Sequence, residues 1–115
     1  MEDLFWQKLE ALFNNSKIII DRPKGSFHPR YTEVQYPLDY GYLEGTSGGD
    51  GGGIDVWLGT KKDKQIDFIL CTIDMLKKDT EIKLLCGCTI EDKDIIMNFY
   101  DSNYMSAICI PNPKA

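Results

Sequence analysis

One short stretch of the chain, residues 36–55, concentrates tyrosines, glycines and aspartates. Its three tyrosines fall at even spacing, so on an extended backbone they share one face: Tyr36, Tyr40 and Tyr42. Six glycines occupy residues 45–53, and glycine at this density lets the backbone approach a ligand, a metal or another chain closely. Asp50 and Asp55 can supply hard oxygen ligands or hydrogen-bond acceptors. The stretch therefore indicates a site that combines phenolic hydroxyls with carboxylates.

Each of these residues also has a purely structural interpretation. Asp50 precedes a glycine, and Asp-Gly is a common turn pair, so the pattern alone favours a turn former. Asp55 begins an apolar strand, where an acidic residue is less expected, and both interpretations stay open. The tyrosines can form a half-buried stripe, but Tyr-Gly-Tyr with a proline before it favours function. His28, between Phe27 and Pro29, is more typical of a structural loop histidine than of a catalytic base.

The chain is short and acidic. Its 115 residues predict a single domain over 1–115, and its formal net charge is −5. No basic run exceeds two lysines, which argues against a nucleic-acid surface. The N-terminus has neither a basic nor an apolar leader segment, and no run approaches the length that spans a membrane. We therefore expect a cytoplasmic protein with no nucleic-acid partner and no membrane association.

Four cysteines are present, and their spacing gives only a weak metal signal. They are Cys71, Cys86, Cys88 and Cys109. The closely spaced pair Cys86-Gly87-Cys88 has no histidine near it in the sequence. We therefore expect reduced thiols that pack as small hydrophobic side chains.

The apolar pattern predicts a mainly β protein with flanking helices. An apolar stripe predicts a helix over residues 2–14, which packs on the rest of the domain or on a second subunit. Extended segments are predicted at residues 17–21, 33–43, 54–59, 65–75, 81–88 and 106–110, the first being an isoleucine run typical of a buried strand. Thr89, with Asp92 three residues on, is typical of a capping box that begins a second helix. Short strands at this spacing favour a small closed or nearly closed barrel.

Several of these motifs together resemble a known enzyme family. Tyr-Pro-x-x-Tyr-Gly-Tyr at 36–42, followed by Asp-Gly-x-x-x-Asp-Val at 50–56, is similar to the signature of the soluble family I inorganic pyrophosphatases. The preceding run from Ile18 to Ser26 and His28-Pro29-Arg30 resemble the segments before that signature, most closely in short bacterial relatives. The likeness covers about residues 17–88.

The resemblance implies a fold and an activity. The fold would be an OB-like five-stranded closed barrel with an N-terminal and a C-terminal helix. The activity would be hydrolysis of inorganic pyrophosphate to phosphate with Mg²⁺, or with Mn²⁺. The metal ions would neutralise the negative charge of the substrate and lower the pKa of the attacking water. The partner would be a small phosphate-bearing substrate, and a homo-oligomer is possible.

The resemblance also implies roles for particular residues. The implied catalytic residues are Asp50, Asp55 and Tyr40. The implied metal ligands are Asp50, Asp55, Glu81, Asp79 and Asp21. The residues assigned to phosphate are Arg30, Tyr36 and Lys83, to which we add Lys77 as a hypothesis, because a lysine at this turn can replace metal charge by touching phosphate directly.

The sequence departs from the family pattern at several points. Gly52 stands where the family has the middle aspartate of its metal motif, and Thr32 where a glutamate is expected. Lys77 and Lys78 stand where an adjacent acidic pair is expected. Each lost carboxylate removes charge stabilisation from the site. Two functions therefore stay open: a magnesium-dependent pyrophosphatase, weak because ligands are missing, or a catalytically inactive relative that binds a phosphate ligand or a partner protein.

Overall fold

Two α-helices and six β-strands are present in the computed structural model, which describes residues 2–49 and 51–114. In chain order they are α1 (Glu2–Asn14), β1 (Ile18–Arg22), β2 (Asp39–Leu43), β3 (Ile54–Leu58), β4 (Ile66–Asp74), β5 (Asp79–Cys86), α2 (Ile90–Phe99) and β6 (Met105–Pro111). The expectation of a mainly β protein with an N-terminal helix and a second helix after Thr89 is confirmed.

The strands form one mixed sheet in the order β1-β2-β3-β5-β4-β6. Neighbouring strands are antiparallel except β3 and β5, which run parallel. β1 and β6 lie at opposite edges, so the sheet of the described residues is open. The expected five-stranded closed barrel is therefore wrong in strand number and in closure. The apolar pattern reveals individual strands, whereas closure depends on the tilt and stagger of strands that are distant in sequence.

Two sequence expectations about the first half of the chain are also wrong. Residues 33–43 do not form one extended strand: the strand begins at Asp39, after Pro37, which cannot donate a ladder hydrogen bond. Before it, a single bridge joins Phe27 to Gln35. The isoleucines of β1 are only partly buried, because β1 is an edge strand.

The sheet buries a separate core on each face. Alternation along β3 turns Val56 to one face and Trp57 to the other. The Val56 face is covered by α1, whose Trp6 is 4% exposed. The Trp57 face is covered by α2, whose Ile96 is fully buried. The N-terminal helix therefore packs on the sheet of its own chain.

The second helix begins as predicted. The Thr89 side chain accepts a hydrogen bond from the Asp92 backbone, and the Asp92 side chain accepts one from the Thr89 backbone, which completes a capping box. The four cysteines are free, as expected, and burial raises the pKa of Cys88 to about 12. Neither described helix is long and apolar enough to cross a membrane.

Candidate active site

The parallel pairing of β3 with β5 places chemically distinct side chains next to one another. Asp55 on β3 is the register partner of Lys83 on β5, and Glu81 lies two residues before Lys83 on the same face. On the other side of β3, Tyr40 of β2 lies opposite Trp57. Because Asp55 and Trp57 are two residues apart, Tyr40 projects from the same face as Asp55. Three adjacent strands thus contribute to one cluster.

Lys83 is at the centre of this cluster. Its Nζ donates to Asp55 Oδ2 at 2.8 Å, to the Tyr40 hydroxyl at 3.0 Å and to Glu81 Oε2 at 3.1 Å. The same nitrogen lies 5.5 Å from the centre of the Tyr40 ring and 5.9 Å from that of Tyr100. Lys83 is 6% exposed, so its ammonium group is held by these partners and largely shielded from solvent. We call these four residues, Tyr40, Asp55, Glu81 and Lys83, the Lys83 cluster.

The cluster keeps Lys83 charged and Tyr40 neutral. Burial alone would lower the pKa of Lys83, but the phenolic oxygens of Tyr100 and Tyr40 and the Asp55 carboxylate outweigh it, and the net shift is upward. Burial is the main cause that raises the pKa of Tyr40 above its ordinary value. At neutral pH the cluster therefore contains one ammonium group, two nearby carboxyl groups and one phenol that can still donate its proton in a hydrogen bond.

Three packed aromatic side chains contact the cluster from the side of α2. We call these residues, Tyr36, Trp57 and Tyr100, the aromatic wall. Tyr36 stacks on Tyr40 with ring centres 5.5 Å apart, and Trp57 meets Tyr40 edge to face at 4.7 Å. The Trp57 indole nitrogen donates to the Tyr100 hydroxyl at 3.1 Å. Tyr36 is 7% exposed, so its ring belongs to the core beneath the site. These contacts fix the position of the Tyr40 hydroxyl beside Lys83.

Two of the predicted phosphate residues lie outside the cluster on exposed turns. Arg30 follows His28 in the loop before β2, and Lys77 lies in the turn between β4 and β5, where its backbone N–H donates to Asp74 Oδ1. Burial lowers the pKa of His28, and the nearby charges of Arg22, Arg30 and Lys77 lower it further. The fold thus brings three cations from separate segments near one imidazole.

Comparison with known proteins places the chain in a family. A family model described as Inorganic Pyrophosphatase matches residues 4–109. The chain belongs to the inorganic pyrophosphatase family. A solved inorganic pyrophosphatase from Helicobacter pylori is similar in structure, with a TM-score of 0.65 and 15% sequence identity, over 86% of this chain and 85% of that one. At this identity the likeness is one of fold. No curated protein sequence matches the chain significantly.

The metal ligands predicted from the motif resemblance are not all brought together. Asp55 and Glu81 converge on Lys83. Asp79 lies on the same face of β5 as Glu81 but at the start of the strand, opposite Asp74. Asp21 is exposed on β1, and two strands, β2 and β3, lie between β1 and β5 in the sheet.

Asp50, assigned both a catalytic and a metal-binding role, lies outside the described residues. Within residues 2–49 and 51–114, no group of three or more His, Cys, Asp or Glu side chains is arranged to hold a metal ion. The described residues thus offer two convergent carboxylates, Asp55 and Glu81, and an ammonium group between them.

Sequence reasoning missed two residues near this site. Tyr100 reaches the cluster from the C-terminal end of α2, 43 residues after Trp57 in sequence, and no local pattern signals that contact. Arg22 is the register partner of Tyr40 on β1. Its sequence signal is its place just before Pro23, within the run that resembles the family.

Proposed function

We propose that the protein binds inorganic pyrophosphate at the Lys83 cluster and hydrolyses it to phosphate with Mg²⁺, at a rate limited by its reduced set of carboxylates. The observation that supports this most directly is the meeting of Lys83, Asp55 and Glu81 at 2.8 Å and 3.1 Å beside the Tyr40 hydroxyl. Phosphoryl transfer requires cations that hold the phosphates and oxygen ligands that hold a metal. The cluster contains both kinds of group within hydrogen-bonding distance.

The two carboxylates fit a magnesium ion that arrives with the substrate better than a resident one. Mg²⁺ keeps several waters and is commonly held by one or two carboxylates together with phosphate oxygens. Asp55 and Glu81 would hold it in this site, and Mn²⁺ would suit the same oxygen ligands. When bound, such an ion neutralises phosphate charge and lowers the pKa of a coordinated water.

The residues of the chain itself have separable roles. The Lys83 ammonium group is a donor to phosphate oxygens, and a phosphate that accepts from it competes with Asp55 and Glu81 for its protons. That competition frees carboxylate oxygens to receive a cation. The neutral Tyr40 hydroxyl can donate to a phosphate oxygen. Arg30 and Lys77, on exposed turns, would hold the outer phosphate.

A second function is favoured by one specific feature. Lys83 already satisfies both carboxylates of the described site, and a buried ammonium group at 2.8 Å from Asp55 opposes a second cation there. Gly52 and the Lys77-Lys78 pair remove further carboxylates from positions where the family has them. A catalytically inactive relative that binds a phosphate ligand or a partner protein would have this arrangement.

The setting of this activity is also a proposal. Four free cysteines, two of them buried, suit a reducing compartment, and we propose that the protein acts in the cytoplasm. The net charge of −5 supports a small phosphate-bearing substrate over a nucleic acid. Homo-oligomer formation stays a prediction.

Phosphate release from pyrophosphate with Mg²⁺ or Mn²⁺ tests the proposal. We expect release by the native protein and at least about a hundredfold less by Asp55→Asn, which removes one carboxylate from the site. Folding of the variant is checked by circular dichroism. Folded native protein that releases no phosphate with either metal, while calorimetry detects pyrophosphate binding, would support the inactive relative instead. Absence of both release and binding would overturn the site assignment.

A matched pair of lysine variants tests the outer phosphate contact. Lys77→Glu should weaken pyrophosphate binding measured by calorimetry, because it reverses the charge that the proposal assigns to the outer phosphate. Lys62→Glu makes the same charge change on an exposed lysine in the β3–β4 connection and should weaken binding much less. Equal effects of the two variants would reduce the role of Lys77 to net charge alone.

A further inference from the structure

The loop between β1 and β2 is an ordered hairpin-like segment. Backbone hydrogen bonds join Gly25 N to Tyr36 O at 2.8 Å, Tyr36 N to Ser26 O at 2.9 Å and His28 N to Val34 O at 2.9 Å. These bonds leave residues 29–33 as an exposed tip. Arg30, assigned to phosphate, is part of that tip. The position of Arg30 therefore depends on whatever orders the tip.

The His28 side chain is hydrogen-bonded directly to the tip, which a backbone hydrogen bond from Val34 N to Tyr31 O at 2.9 Å also closes. Its Nδ1 accepts hydrogen bonds from the backbone N–H groups of Arg30 at 3.0 Å and Tyr31 at 3.1 Å. A nitrogen that accepts carries no proton, so the imidazole is neutral and its proton is on Nε2. The ring packs on Tyr31 with centres 5.0 Å apart and lies nearly parallel to Tyr36 at 6.5 Å. Tyr36 in turn stacks on Tyr40, so the imidazole lies at the outer end of the aromatic wall.

The charges around His28 oppose its protonation. Arg22 approaches from β1, Lys77 from the β4–β5 turn and Arg30 from the loop itself, while Glu33 is the one nearby group that favours the imidazolium. Burial is the largest cause that lowers the pKa of His28, and the three cations add to it. Protonation would convert Nδ1 from an acceptor to a donor and would break both bonds to the tip.

We propose that His28 is a pH-sensitive positioning residue: its neutral imidazole holds the tip that carries Arg30, and protonation releases the tip and weakens phosphate binding. The effect on phosphate rests on the proposed function, whereas the effect on the tip does not. Protonation also adds a positive charge near the anion site. The proposal requires that the loss of order in the tip outweighs that added attraction.

Nuclear magnetic resonance tests the positioning role without any ligand. His28 is the one histidine of the chain, so its ring signals are unambiguous. We expect the Nε2–H tautomer at pH 7.5, a pKa below 6.5, and faster amide exchange at Arg30 and Tyr31 as the ring protonates. His28→Asn keeps an acceptor near the Nδ1 position but does not titrate, so its two amides should stay protected at acid pH. His28→Ala should leave them unprotected throughout. A Nδ1–H tautomer, or equal protection in all three proteins, would overturn the proposal.

Pyrophosphate binding followed by calorimetry from pH 7.5 to 5 tests the consequence. The ratio of native to His28→Asn affinity cancels the titration of pyrophosphate itself. We expect this ratio to fall about tenfold as His28 protonates, and His28→Ala to bind about tenfold more weakly than the native protein at pH 7.5. A ratio that rises or stays constant would overturn the link to phosphate. If neither protein binds pyrophosphate at any pH, the proposed function fails, and the amide-exchange experiment still decides the role of His28.

Discussion

Asp55 and Lys83 are register partners on the two parallel strands of the sheet, and their side chains form an ion pair of 2.8 Å. Lys83 is 8% exposed and Asp55 17% exposed at their side chains, so water screens the pair only weakly. Glu81 adds a second carboxylate at 3.1 Å. Removal of the ammonium group would leave two shielded carboxylates facing each other.

The first prediction follows from that geometry. Lys83→Met should lower the free energy of unfolding by about 3 kcal/mol at pH 7, because breaking a buried pair leaves uncompensated charge. Urea denaturation measures the change. The triple variant Asp55→Asn, Glu81→Gln, Lys83→Met removes the repulsion and should recover most of the loss. Lys62→Met, at an exposed lysine, should change the midpoint little. A single variant as stable as the native protein would contradict the prediction.

The same pair has a defined pH dependence. The pKa of Lys83 is raised in the folded protein, so its stabilising contribution is fully present below the ordinary lysine value of 10.5 and is lost as the pH rises through the raised value. The difference between the native protein and Lys83→Met should therefore stay constant from pH 7 to 10. A difference that declines within this range would mean that the ammonium group is not held as the structure has it.

The second prediction concerns the junction between the β3–β4 connection and α2. Asp92 Oδ2 accepts from Thr60 N and Thr60 Oγ1 at 2.8 Å each and from Thr89 N at 3.0 Å. Burial would raise the pKa of Asp92, but these hydrogen bonds outweigh it and lower the pKa below 3.8. The stabilisation is therefore present above pH 3.8 and is lost as the pH falls through the lowered value.

Asp92→Asn should lower the free energy of unfolding by about 2 kcal/mol at pH 7. Urea denaturation from pH 7 towards the acid limit of folding should show the difference from the native protein shrinking below pH 3.8. Asp94→Asn is the matched control, because Asp94 is on the same helix with its side chain 66% exposed. If the loss of stability in Asp92→Asn does not depend on pH, the charge of the Asp92 carboxylate is not its cause, and Asp92 contributes through packing alone.

The local features of the chain were predictable and the long-range ones were not. Thr89 and Asp92 carry a capping signal within four residues, and the β4–β5 hairpin follows from two apolar runs joined by a polar turn. By contrast, the parallel pairing of β3 with β5 joins segments 28 residues apart, and no local pattern encodes it. That pairing is what places Asp55 beside Lys83, whereas Glu81 and Lys83 lie on one strand.

The candidate site shows the same division. The resemblance selected Asp55, Glu81, Lys83 and Tyr40 individually, and the fold brings these four together. It did not reveal that Lys83 satisfies both carboxylates, because hydrogen-bond partners depend on side-chain directions across three strands. The Tyr-Gly-Tyr run was interpreted as functional as a whole, whereas the structure gives its glycine, Gly41, a packing cause of its own.

The third prediction tests that cause at Gly41. A Cβ atom added at Gly41 would lie 1.8 Å from the Ile19 carbonyl oxygen and 2.8 Å from the Ile20 Cα, and these are backbone atoms of β1. They cannot give way unless the β1–β2 ladder moves. Gly41→Ala should therefore lower the free energy of unfolding by about 3 kcal/mol or more, since overpacking against backbone is not relieved by side-chain motion.

Gly49→Ala is the matched control for this variant. The nearest atom to its added Cβ is the Glu81 Cγ at 3.5 Å, which is ordinary contact, so its urea midpoint should stay near that of the native protein. Amide exchange adds a local readout: in Gly41→Ala the protection of β1 amides should fall more than that of β4. If Gly41→Ala and Gly49→Ala unfold at the same midpoint, the close approach of β1 to β2 is not what requires glycine here. The requirement for glycine between Tyr40 and Tyr42 would then have to come from the site, where Tyr40 contacts Lys83, and not from the β1–β2 ladder.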